Sequence, residues 1–159
     1  MSDITDPTVF DLSVREPVDA MGLTRFLLDR VPWRERSFRP VIQPEVTPVT
    51  DSLLLKHELI LYHCGDPFQP DWNLKAWIWR FTLNLTVLGR DPERVHRICA
   101  YLNRQIALWP YMQPTPFGKV GRLVSNPGFE SGSSGDIASS KSVVAWTSSK
   151  LVQAASPRG

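Results

Sequence analysis

The segment from Leu74 to Trp109 constrains this chain more than any other, because it reads as one long strand, one sharp turn and one capped helix. Trp77, Trp79, Phe81, Leu83, Leu85 and Val87 alternate with Arg80, Thr82, Asn84 and Thr86. That period of two predicts a strand with one buried face. Gly89, Arg90, Asp91 and Pro92 end the strand and start the helix. Asp91 suits the N-cap, Pro92 the first helical position, and Glu93 the positive end of the dipole. Val95, Ile98, Cys99, Leu102, Ile106 and Trp109 then recur on one side, the spacing of a helix laid on a sheet. The unit is a building block without a catalytic motif.

Around it the chain divides as follows. Residues 1–17 carry acidic residues and two prolines without periodicity, and are read as an N-terminal arm. A short helix is predicted from Val18 to Val31, with Met21, Leu23, Phe26, Leu27 and Val31 on its apolar side, ended by Pro32. Trp33 to Thr50 holds three more prolines and a basic patch, Arg34, Arg36 and Arg39; Val41 and Ile42 form a short strand within it. Ser52 to Cys64 alternates Leu53, Leu55, His57, Leu59, Leu61 and His63 with Leu54, Lys56, Glu58, Ile60 and Tyr62, and is read as a strand. Residues 65–73 are rich in turn formers. Pro110 to Gly118 is a connector, and Lys119 to Val124 another strand. Residues 125–141 are so rich in Gly and Ser that they are read as a flexible loop; Ser142 to Gln153 resumes strand character, and a short tail, 155–159, ends the chain.

The expected architecture is therefore one α+β domain over residues 18–154. It has a mixed or antiparallel sheet of four to five strands, two helices packed on one face, and the order α-(β)-β-β-α-β-β. The chain has 159 residues, enough for one domain with a core and not for two full ones. A net charge of +2 with 21% charged residues marks neither a disordered nor a supercharged chain. No apolar run approaches the ~18 residues of a membrane span. The N-terminus lacks the pattern of a secretory signal, and two cysteines make no disulfide framework; two free thiols in a reducing cytosol are expected. Proline is the outlier, 14 residues with six before position 49, which places extended arms and rigid loops outside the core.

Leu74 to Leu88 as one strand spans roughly 48 Å at ~3.4 Å per residue. A compact chain of this length has a radius of gyration of about 15 Å. Either one end of the hairpin projects and packs on a neighbouring subunit, or the strand bends near Trp77 and stays inside the domain.

His57, His63, Cys64, His96 and Cys99 are the only soft-ligand set, and no Cys-x-x-Cys or His-x-x-x-His pair exists among them. There is no Gly-x-Ser-x-Gly elbow and no phosphate-binding glycine loop. No catalytic residue, metal or cofactor is expected. Arg90, Arg94, Arg97 and Arg104 form a stripe beside the apolar face of the helix. Such a stripe is a wall facing DNA or an acidic neighbouring subunit, or else the solvated face of an amphipathic helix. Trp72, Trp77 and Trp79, near the loop end of the long hairpin, are candidates for an oligomer or partner interface, as are Phe129 and Ile137 in the Gly/Ser segment.

Trp77-Ile78-Trp79-Arg80-Phe81-Thr82-Leu83-Asn84-Leu85-Thr86-Val87-Leu88-Gly89-Arg90-Asp91-Pro92-Glu93-Arg94-Val95, the helix to Trp109, Lys119-Val120-Gly121-Arg122-Leu123-Val124 and Val143-Val144-Ala145-Trp146 together resemble, in pattern and order, the tail terminator proteins of long-tailed bacteriophages. The likeness covers residues ~20 to 154. It implies a structural virion protein without enzymatic activity, located at the head–tail junction and in the host cytoplasm during assembly. The resemblance further implies a homo-oligomeric ring, usually a hexamer, that caps the tail tube and meets the head-closure or connector protein while DNA passes without sequence-specific contact. A head-closure or tail tube protein shares much of this architecture, and a small metal-dependent enzyme is the remaining alternative. The proline-rich stretch from Pro32 to Pro48 and the Gly/Ser segment depart from the pattern and are read as docking elements.

Overall fold

The computed structural model describes residues 17–69 and 78–149, apart from the side chains of Ser134 and Ser149. The arm, Trp72, Trp77, the first residues of the expected long strand and the tail lie outside the described residues. The elements are α1 (Ala20–Asp29), β1 (Val41–Pro44), α2 (Asp51–Lys56), β2 (Leu59–Cys64), β3 (Trp79–Gly89), α3 (Pro92–Leu108), β4 (Lys119–Ser125), β5 (Glu130–Ser134) and β6 (Ile137–Ser149). Short 3-10 turns occupy Trp33–Arg36 and Trp109–Tyr111. The fold is α+β with one mixed sheet in the order β1-β2-β3-β6-β4, and β5 also pairs with β6. Among the described residues only the β1–β2 pairing is parallel.

β3 and β6 are the spine. Their antiparallel register runs unbroken from Trp79 opposite Ser148 to Gly89 opposite Ala138. Alternation on β3 puts Phe81, Leu83, Leu85 and Val87 on one face, where none is more than 1% exposed. Cross-strand partners put Ile60, Tyr62 and Cys64 on that face, and likewise Val144 and Trp146. α1 adds Leu23, Leu27 and Leu28; α3 adds Val95, Ile98, Leu102 and Ile106. Trp146 stacks on Trp109 with ring centroids 5.7 Å apart. Each buried side chain of this size contributes about 1.5–3 kcal/mol of transfer free energy, so this face is the core.

α1 and α3 begin as their sequences require. Asp19 Oδ1 accepts from Gly22 N at 3.0 Å, and Asp91 Oδ1 accepts from Glu93 N at 3.0 Å with Pro92 in the first turn.

Two expectations are corrected. Ser52 to Cys64 is not one strand: Asp51–Lys56 is helical, capped by Thr50 Oγ1 accepting from Leu53 N at 3.3 Å, and the strand begins at Leu59. α2 moreover lies on the sheet face opposite α1 and α3, where Leu54 packs with Leu59 and Leu61. Helices therefore cover both faces, one thickly and one at a single corner. Residues 125–141 are not a loop either. They hold β5 and the start of β6, joined by Gly135 and Asp136 in a two-residue turn with Gly135 at φ +61°. β4 and β5 lie end to end along the same edge of β6, so 119–149 is one hairpin whose first arm breaks at 126–129. A tight turn replaces the 17-residue connection, consistent with the rarity of long structureless loops in compact domains.

Candidate functional site: a cationic groove on the third helix

The arginine stripe separates into three environments. Arg94 is committed to structure. Its Nε donates to Glu58 Oε2 at 3.0 Å and its Nη2 to Glu58 Oε1 at 3.2 Å, a two-point pair that ties α3 to the chain just before β2. That hydrogen bonding raises the Arg94 pKa above its ordinary value. Its guanidinium also lies 5.4 Å from the Phe38 ring centre. Gly89 makes room for this junction. A Cβ there would stand 2.8 Å from Val95 Cγ2 and 3.1 Å from Glu58 Cγ. Arg90, just after β3, is half-buried, with Nε enclosed and without a hydrogen-bond partner.

Arg97 and Arg104 point into a groove of about 400 Å³, with His96, Ala100 and Tyr101 of the same helix and Arg36 and Phe38 of the Trp33–Pro40 segment. Arg36 is the residue that sequence reasoning missed as a member of this site. It belongs to the basic patch of the proline-rich stretch, and packing carries it onto α3. Tyr101 Oη donates to Pro32 O at 3.2 Å, and the Trp33 ring meets Tyr101 edge-on at 5.7 Å. Ser37 takes a left-handed φ of 60°, closing the 3-10 turn, and Phe38 folds back with its N–H on Trp33 O at 3.0 Å. Arg36 thereby sits 5.1 Å from the centre of the Tyr101 ring. The one signal for this in the sequence is the pair Trp33 and Phe38, two large apolar residues framing a charged run.

The groove's chemistry follows from its lining: three arginines, one histidine, two aromatics and one alanine, with no carboxylate. Among the described residues no ion pair engages Arg36, Arg97 or Arg104. Guanidinium groups stay charged at any physiological pH and match carboxylates and phosphates two oxygens at a time. Phe38 and Tyr101 are 5% and 8% exposed, so they form a floor under the arginines and offer no open ring for a base to stack on. The surface thus favours an anion recognised by charge.

The remaining predicted residues scatter. Trp79 opens β3 half-buried, opposite Ser148. Phe129 packs against the main core and lines a hollow of about 180 Å³ with His96, Cys99, Asn103, Ser131 and Ser140. Ile137 packs on the other side of the sheet with Leu54, Leu59 and Leu61. Phe129, in the break before β5, and Ile137, the first residue of β6, are both half-buried and anchor their own hairpin. Cys64 and Cys99 are free and buried. Burial pushes both thiols up to about 11, against opposing hydrogen bonds to Thr24 and Ser140. Among the described residues no group of three or more His, Cys, Asp or Glu could hold a metal ion, and no helix is long and apolar enough to cross a membrane.

No protein-family model matches the chain, and no curated protein matches it. One solved structure, whose name states no function, is similar at 11% identity with a TM-score of 0.42, over 80% of this chain and 94% of the other.

Proposed function

We propose that the protein is a structural virion component, a phage tail terminator whose copies form a ring that caps the tail tube and meets the head connector. The order of elements supports this reading, as does the resemblance carried by Trp77 to Trp109 and the two later strand segments. The observation that carries it furthest is the groove of Arg36, Arg97 and Arg104, which is free of carboxylates and floored by buried rings. Such a surface suits passing DNA or an acidic neighbour, because charge without base readout is what a sequence-blind contact needs.

Mixing the protein with polymerising tail tube subunits and measuring tube lengths by negative-stain microscopy tests the role. Tubes of bounded length with ring density at one end are expected. Unbounded tubes with bare ends would rule out termination, and a ring that binds only the head connector would favour the head-closure alternative.

A further inference from the structure

The cationic groove on α3 holds a charge that nothing in the described chain answers. Arg36, Arg97 and Arg104 make no ion pair among the described residues, and no carboxylate lines the groove. Glu35 and Glu93, their nearest carboxylates along the chain, are exposed and make no ion pair with them either. The opposite charge is concentrated at the start of the sequence. Residues 1–17 hold Asp3, Asp6, Asp11 and Glu16 against one base, Arg15, in a chain whose net charge is +2. Residues 1–16 lie outside the described residues, but the point from which they depart is fixed, since Val18 is 3% exposed and belongs to the main core.

The distance from that point to the groove is short. α1 has 10 residues, and at ~1.5 Å per residue it carries the chain about 15 Å. Beyond its far end, Trp33 meets the ring of Tyr101 at 5.7 Å, on the floor of the groove. Val18 and the groove are therefore separated by on the order of 20 Å. An extended chain covers roughly 3.3–3.6 Å per residue, so Asp11 reaches about 23 Å from Val18, and Asp6 and Asp3 reach further.

We infer that the acidic arm folds back on its own domain and lays Asp3, Asp6 and Asp11 along Arg36, Arg97 and Arg104. The sign of the charge and the reach of the chain both select this occupant. Exposed ion pairs are individually weak, but a short tether holds the arm at an effective concentration on the order of millimolar, enough to keep the groove occupied. The arm is then a built-in competitor, and DNA or an acidic partner must displace it. The contact needs the arm and the groove alone, and holds whether or not copies of the chain form a ring.

Zero-length cross-linking of the full chain tests the contact. Arg97→Lys and Arg104→Lys keep the charge at two exposed positions and supply amines that a carbodiimide joins to any carboxylate touching them. Peptide mapping should find Asp3, Asp6 or Asp11 joined to position 97 or 104 in preference to the chain's own lysines, such as Lys56, Lys119 and Lys141. The joined protein should run as one chain on a denaturing gel. Arm carboxylates joined to other lysines or to none would overturn the inference, and so would joined pairs of chains, which would assign the arm to a neighbouring copy. A second measurement uses a short DNA duplex as the rival polyanion. At ~50 mM salt, Asp3→Asn, Asp6→Asn and Asp11→Asn together should tighten its binding about tenfold, a gain that vanishes toward ~0.5 M salt. On a background of Arg36→Gln, Arg97→Gln and Arg104→Gln the same arm changes should have no effect. An equal gain on both backgrounds is a bulk charge effect and would overturn the competition. A duplex that binds no form of the protein removes DNA from the proposed function, and the cross-link map then decides the arm contact by itself.

Discussion

On the face of the sheet that α1 and α3 cover, Phe81, Leu83, Leu85 and Val87 are at most 1% exposed; one residue along, Thr82, Asn84 and Thr86 are only half-buried, and the six-residue α2 sits over one corner of their side. The same strand thus belongs to two environments. One is closed by Leu, Ile and Trp side chains within the chain. The other is closed where Leu54 meets Leu59 and Leu61 and at Ala145, and elsewhere it presents Thr, Asn and Lys side chains. The covered face specifies the fold. The thinly covered face and the outer side of α3 are free to serve partners, because changes there leave the packing alone.

The most severe test of this contrast is a matched pair of substitutions. Phe81→Asp places a carboxylate in the closed face without a partner, and is expected to cost more than about 4 kcal/mol, enough to abolish cooperative unfolding. Thr82→Asp, on the other face, should cost no more than about 1 kcal/mol in the same urea titration. Equal damage from the two would show that both faces are closed, and the comparison would collapse.

Gly89→Ala probes the junction between the two regions. The new methyl would press on Val95 Cγ2 and the Glu58 stem, and overpacking of this kind costs about 1–3 kcal/mol. Because Glu58 holds Arg94, the change should also lower hydrogen-exchange protection in the first turn of α3. A melting midpoint equal to wild type would mean that β3 and α3 are not held as closely as described.

A pH titration isolates the closed face chemically. Cys64 and Cys99 sit there with pKa values raised from 9.0 to about 11. The unfolded chain therefore releases these protons first as pH rises. Their contribution to stability is full below pH 9.0 and is lost as pH climbs through about 11. Wild type should weaken over that window more steeply than a Cys64→Ala, Cys99→Ala double variant, and its thiols should react slowly with a thiol reagent at pH 8. Parallel curves would remove the thiols from the account.

The same contrast explains what the sequence reveals and what it hides. β3 and α3 are legible because each carries a full period of apolar residues against the core and, for α3, a cap formed by adjacent residues. α2 is hidden: six residues make fewer than two turns, so Leu53 and Leu55 imitate the alternation of a strand. β5 is hidden for another reason. Its Ser and Gly residues have little strand preference of their own, and backbone pairing with β6 holds them. The small residues Ser131 and Ser140 are what fits beneath His96, Cys99 and Asn103 of α3. The cationic groove is half legible. Arg97 and Arg104 follow from helical spacing, whereas Arg36 arrives through Trp33, Phe38 and Tyr101, contacts between residues more than sixty positions apart.

The smallest effect on stability is expected where the charge is greatest. Reversing Arg36, Arg97 and Arg104 together to Glu breaks no described ion pair and replaces no core residue; it removes only the Arg36 contact with the Tyr101 ring, so stability should stay within about 1 kcal/mol of wild type. Arg94→Glu alone should be worse than the triple change, since it sets a carboxylate against Glu58 in place of the two-point pair. Function should rank the other way. If the groove faces passing DNA, it acts as a diffuse field, screened over ~8 Å at physiological salt, and single alanines matter little. The triple reversal should then give normal rings without DNA but particles that retain DNA poorly, whereas Arg94→Glu, if it folds, should retain it normally. Rings that fail to form from the triple variant would instead make the groove a subunit contact, and a compensating reversal of the acidic partner surface should restore them.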